Sequence, residues 1–185
     1  MFAWLPKLRL YGLLLLLAAA GCGSDAPTAP PSPAASPLQQ VTFSYVKESD
    51  LNTYLRAIAS TLPDFYLIID EQTVLFNDWS THRTNTYWTR VYANNLVLRI
   101  RAYSLNAAKI RPTNPELKKL HDQLLQAMQF LEAGIQDFIV AMDPRDDSVI
   151  DEANKKIGQF NIAIDSYSNE LSSLAGQPIS LFPSQ

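Results

Sequence analysis

Histidine is the side chain best suited to metal ligation or proton transfer near neutral pH. The chain has two, His82 and His121. His121 shares an apolar row with Leu117, Leu124 and Met128, whose steps of three and four fall on one side of a helix. A core metal or haem needs more than this. Di-iron helical proteins use inward glutamates with Glu-x-x-His pairs from facing helices, and c-type haem needs Cys-x-x-Cys-His. Here the only cysteine is Cys22, and no acid interrupts the apolar rows. One histidine does not complete a metal site. His121 is therefore expected to be a neutral core histidine, bonded to a neighbour such as Tyr54, Tyr103 or a serine.

Asp143, Asp146, Asp147 and Asp151 gather around a turn, which suggests Ca²⁺ at first sight. A calcium loop also needs alternating oxygen ligands, a glycine and a final glutamate, and that pattern is absent. Helix capping explains these aspartates. There is no Gly-x-Ser-x-Gly, His-Glu-x-x-His or phosphate-cradling glycine loop. Gln72, Asn95 and His121, the polar residues within the apolar rows, fall at different heights along the helices and do not converge. The expectation is no catalytic residue, no metal, no cofactor and no enzymatic activity.

Charge is unevenly shared. Between Trp79 and Pro115 stand Arg83, Arg90, Arg99, Arg101, Lys109 and Arg111 with no acid, whereas residues 116–170 hold 11 acids against 5 cations. At about 100° per residue, Arg83, Arg90 and Arg101 share one helical stripe. The stripe is a possible interaction strip for an anionic polymer, lipid headgroup or acidic partner. The alternative is pairing with the acidic helices that follow.

Four segments must position these residues. Apolar side chains step by three and four along Leu51, Leu55, Ile58, Leu62, Phe65, Ile69, Gln72, Phe76 and Trp79. They do so again along Trp88, Val91, Asn95, Leu98, Ala102 and Leu105. A third row runs from Leu117 and His121 through Leu131 to Met142, and a fourth from Ile150 and Ala153 through Phe160 to Leu174. Such rows mark helix faces turned toward partner helices. The predicted helices cover roughly 49–78, 85–110, 115–142 and 147–175. Asn114-Pro115-Glu116 is a helix start, Ser148-x-x-Asp151 matches a capping box, and Gly176 with Pro178 suits a stop. Pro63 lies inside the first row, where an interior proline kinks a helix. Because the register continues past it, the segment is expected to be one kinked helix or two abutting ones.

The predicted fold is all-α, an antiparallel up-down-up-down four-helix bundle over residues 41–176, with its first helix kinked at Pro63. Matched helix lengths and short connections favour antiparallel neighbours, about 40 Å long at 1.5 Å per residue. A competing reading makes residues 86–103 a β-hairpin, because they are rich in aromatic and β-branched side chains and Leu98 to Ala102 alternates. The spacing from Trp88 through Pro115 and Leu117 to His121 resembles small secreted helical domains of unknown function. That likeness runs from Trp88 onward and implies no activity.

Ahead of this body, Lys7 and Arg9 precede the apolar stretch LYGLLLLLAAAGC, which ends in small residues. A basic start, a short apolar run and a small-residue end make a secretory signal, too short for a spanning helix of about 20 apolar residues. Ala19-Ala20-Gly21-Cys22 resembles the lipobox of bacterial lipoproteins, with Ala19 where the family prefers leucine. The resemblance implies that Cys22 becomes the lipidated first residue of the mature chain, with more than one acyl chain for stable anchoring. Residues 1–21 are then the signal, and 22–40 a Pro/Ala/Ser-rich tether with prolines at 27, 30, 31, 33 and 37. Residues 177–185 form a tail.

An apolar fraction of 47% is enough for a core, and a charged fraction of 18% excludes a disordered polyampholyte. Without Lys7 and Arg9 the 15 cations fall to 13 against 18 acids, a net charge of −5, which argues against nucleic acid as partner. The sequence therefore predicts an extracytoplasmic protein held on the bacterial cell membrane by lipid on Cys22. Its helical body is expected to bind a protein or envelope polymer. A small-molecule or sensory bundle with a ligand between helices is the alternative.

Overall fold

The computed structural model describes residues 46–179 and 181. All of them belong to the unit Thr42–Gln185. The expected signal, Cys22 and the tether lie outside the described residues. The described residues are all-helical, with α1 at Glu48–Ala59, α2 at Leu62–Ser80, α3 at Thr86–Ala107, α4 at Pro115–Ala141 and α5 at Asp147–Ala175. No helix among them is long and apolar enough to cross a membrane.

Local chemistry explains the boundaries. Asn85, Asn114 and Asp146 each stand just before a helix with an extended backbone, and each side chain accepts from N–H groups of the first turn. A cap of this type contributes about 1 kcal/mol. Pro115 follows its cap, where its missing N–H costs nothing. The start of α5 corrects the predicted capping box, because Asp146 is the cap and its Oδ1 accepts from Ser148 N at 3.0 Å and Val149 N at 3.3 Å. At the other end Gly176 takes φ +65°, the left-handed turn that glycine adopts without strain.

Of the two forms expected around Pro63, a kinked helix or two abutting ones, the chain adopts the second. A proline at position 63 has no N–H for the carbonyl of Ala59, and its ring clashes with that carbonyl in a continuous helix. The chain therefore leaves the helix at Ser60 and Thr61, whose N–H groups bond back to Arg56 and Ile58, and restarts with Pro63 in the first turn of α2. The inward register survives the break, since Ile58 and Phe65 are both fully buried. The hairpin alternative for residues 86–103 falls, because they lie within α3.

Contacts are densest between α4 and α5, then between α3 and α4, then between α2 and α3. Gly134 permits the first of these close approaches. A Cβ there would stand 2.8 Å from Ile157 Cγ1 and 3.1 Å from the Ala153 carbonyl oxygen. The third predicted row lies in the core, and so does most of the fourth, whose Ile150, Ile157 and Leu174 are half-buried. Leu117, His121, Leu124, Met128, Leu131, Ile135, Phe138 and Met142 are all buried, and so are Ala153, Phe160, Ile164, Tyr167 and Leu171. Phe65 packs against Tyr103 and Phe160, and Phe138 receives Phe76 and Trp79.

The second row is the main correction. Thr89, Ala93, Leu96, Val97, Ile100, Tyr103 and Ala107 face inward on α3. Of the residues assigned to the core, Trp88, Asn95, Leu98, Ala102 and Leu105 are exposed and only Val91 is partly covered. Helix α3 carries apolar residues on opposite sides, so periodicity fits either face. The inward row contains small residues that allow close packing, and its hydroxyls are bonded, Thr89 donating to the Asn85 carbonyl at 3.0 Å and Tyr103 Oη lying 3.4 Å from Thr61 Oγ1. The outward row would have buried the amide of Asn95, and burying an unbonded amide is costly. The segment after α5 also turns back on the body, where Tyr66 donates to the Leu181 carbonyl at 2.6 Å and Ile179 N donates to Ser172 Oγ at 3.0 Å.

Candidate functional site

The inward choice of α3 leaves its apolar row in solvent. Leu98 is 61% exposed and Leu105 69%, with Tyr87, Trp88 and Tyr92 also open. The aromatic members cluster, with ring centroids 5.2 Å apart for Tyr87 and Trp88 and 6.3 Å for Trp88 and Tyr92. Scattered exposed apolar side chains are ordinary, whereas neighbouring exposed aromatic rings on one helix make a less usual surface.

Beside this face, α2 and α3 enclose a groove of about 850 Å³. Leu75 and Leu96 line it deep down, Val74 and Asp78 come from α2, and Tyr92 and Leu98 from α3. Asp70, Glu71 and Arg99 complete its charged lining, and Arg99 Nε bonds Glu71 Oε2 across the groove at 3.1 Å. With three carboxylates and one guanidinium, the lining carries net negative charge.

The predicted arginine strip is divided. Arg101 Nε donates to Glu132 Oε1 at 2.7 Å, and Arg90 Nη2 lies 4.0 Å from Asp143 Oδ2, both on the α4 side. Arg83 is exposed in the connection between α2 and α3, where its backbone N–H bonds the Asp78 carbonyl at 2.9 Å. An anionic partner on this strip has to displace two carboxylates.

His121 is 2% exposed at the heart of a buried polar chain. Its Nε2 lies 3.1 Å from the Ala107 carbonyl oxygen and its Nδ1 3.4 Å from Tyr54 Oη. Tyr54 Oη is in turn 3.0 Å from Tyr167 Oη. A carbonyl only accepts, so Nε2 carries the proton and Nδ1 accepts from Tyr54. Tyr54 then accepts from Tyr167, which gives the chain one direction. Burial lowers the His121 pKa, and the Ala107 carbonyl only partly opposes that shift. Burial also pushes both phenols well above their ordinary value. The arrangement ties α1, α4, α5 and the end of α3 together. Its groups are all held neutral.

Among the described residues, no three His, Cys, Asp or Glu side chains are placed to hold a metal ion. Three of the four aspartates around residue 146 have other partners. Asp146 caps α5, Asp147 receives Arg145 Nε at 2.7 Å, and Asp143 faces Arg90. Hydrogen bonds from Ser148 Oγ and from the Val149 and Ser148 N–H groups lower the Asp146 pKa. Gln72 is half-buried and Asn95 exposed, so the polar residues of the predicted rows do not meet. The groove and aromatic face were missed because the second row was turned inward. The amide of Asn95 within that row was the available signal. Comparisons with protein families, curated proteins and solved structures give no match.

Proposed function

We propose that the chain is an extracytoplasmic lipoprotein of bacterial type, anchored through Cys22 and carrying a helical binding module whose docking face is the outward side of α3. The exposed row from Tyr87 through Tyr92 and Leu98 to Leu105 carries this reading. A lone helix face of this composition costs solubility unless something covers it. In the same reading α1 and α2 together form the first arm of an up-down-up-down four-helix bundle. Cross-helix pairs support that order, because partner numbers fall as the chain advances. Arg90 meets Asp143 and Arg101 meets Glu132 between α3 and α4, and Gln123 meets Glu170 and Asp137 meets Lys156 between α4 and α5.

A photo-crosslinking side chain at Leu98 of the full chain tests the docking face in living cells. A defined adduct from position 98, absent from the exposed position Glu152, is the expected result. Equal labelling from both positions sinks the docking face. The anchor has its own test, in which Cys22→Ser moves the chain out of the membrane fraction. The groove between α2 and α3 also supports a second reading, a small molecule held between helices, because its volume falls within the usual range of such sites.

A further inference from the structure

We infer that the groove between α2 and α3 receives a basic amphipathic helix of a partner protein, a proposal that rests on the outward side of α3 being the docking face. Asp70, Val74 and Asp78 follow one another at steps of four, so they stand in one line along α2. The two carboxylates are about 12 Å apart along the axis at 1.5 Å per residue, with an exposed valine between them. Across the groove stand Tyr92 and Leu98, and the deep surface is apolar. An apolar channel edged by two acids two turns apart matches a helix with an apolar stripe and flanking Lys or Arg.

The charges select the partner. Helix α2 has Asp64, Asp70, Glu71 and Asp78 and no lysine or arginine. Arg99 satisfies Glu71, but Asp70 and Asp78 have no ion pair among the described residues. Long side chains ending in cations can lie along the apolar wall and still reach those carboxylates. A second copy of the chain is a poor occupant. Its Arg90 and Arg101 are turned to α4, and its acidic surface would meet like charge. Anionic lipid headgroups are repelled by the same two aspartates.

The test uses the full chain in discs of zwitterionic lipid, with empty discs as blank. The probes are a leucine–lysine helical peptide of about five turns and its leucine–glutamate counterpart. The lysine peptide is expected to bind, more weakly as salt rises, and the glutamate peptide to fail. Asp70→Asn with Asp78→Asn is expected to weaken binding about 10-fold, and Leu98→Ser by a similar factor. Asp70 and Leu98 are exposed and Asp78 is half-buried, and none of them belongs to the hydrophobic core. Unchanged affinity in the Asp70→Asn, Asp78→Asn chain overturns the proposal, as does equal binding of both peptides. An alkyl diamine that binds as tightly as the peptide also overturns it, in favour of a small cation. If the lysine peptide fails while the crosslink from position 98 persists in cells, the basic helix is wrong and the docking face stands. If both fail, both readings fall.

Discussion

The two ring nitrogens of His121 face different partners, and that difference sets its response to protons. Nε2–H is committed to the Ala107 carbonyl, and Nδ1 holds the lone pair that receives Tyr54. A second proton on the ring turns Nδ1 into a donor facing a hydroxyl that is already donating to it, so Tyr54 and Tyr167 have to reverse. It also places a charge where burial has lowered the pKa below its ordinary 6.5. Nearby Asp122 favours the charged ring and Arg111 opposes it, and both are weaker than burial. The unfolded chain therefore binds the proton first as pH falls. Stability is full above about pH 6.5 and is lost as pH drops through the folded pKa, with a slope of at most about 1.4 kcal/mol per pH unit. Chemical denaturation between pH 7 and pH 5, above the main carboxylate range, is expected to show this loss in the native chain. His121→Gln should flatten it. A slope that survives the substitution would place the titrating group elsewhere.

At the scale of the helix, the two faces of α3 make opposite predictions. Ile100 is fully buried and Leu98 is 61% exposed, two residues away. Ile100→Ala removes core volume and should cost about 2–5 kcal/mol in equilibrium unfolding. Leu98→Ala should change stability by about 0.5 kcal/mol or less. The reverse order would restore the row from Trp88 to Leu105 to the core. The same contrast shows why some helices were legible in the sequence and one was not. Helices α4 and α5 each have one dominant apolar row, so Leu117 to Met142 and Ala153 to Leu171 could be read directly. In α3, Ile100 and Leu98 belong to competing rows of similar apolar content, and the Asn95 amide was the one sign in the sequence of which row faces outward. The break before α2 was half legible. Pro63 announced a disruption, but whether a proline bends a helix or restarts it depends on whether the preceding turn finds other partners, as Ser60 and Thr61 do here. His121 was placed correctly, and Tyr54 was among its expected partners. The Ala107 carbonyl was not legible, because side-chain spacing says nothing about which backbone groups a helix end leaves free.

For the molecule as a whole, an exposed apolar face has to be reconciled with staying dispersed. What opposes self-association is net charge, as 18 acids outnumber 15 cations over the whole chain. The body, residues 42–185, keeps 17 acids against 13 cations, so that protection vanishes at an isoelectric point somewhat below the 5.3 of the whole chain. Light scattering from the body, residues 42–185, should therefore rise as pH approaches this value, because Tyr92, Leu98 and Leu105 then meet their counterparts without long-range repulsion. Leu98→Glu with Leu105→Glu should suppress the rise, since the added carboxylates break the apolar row and shift the balance of charge. Partial unfolding through His121 would produce scattering over the same pH range, and the melting temperature separates the two causes. If the face is responsible, the double substitution removes the association while the acid-induced fall in melting temperature persists. If exposed core is responsible, association follows the fall in melting temperature, and altering two surface leucines leaves it in place.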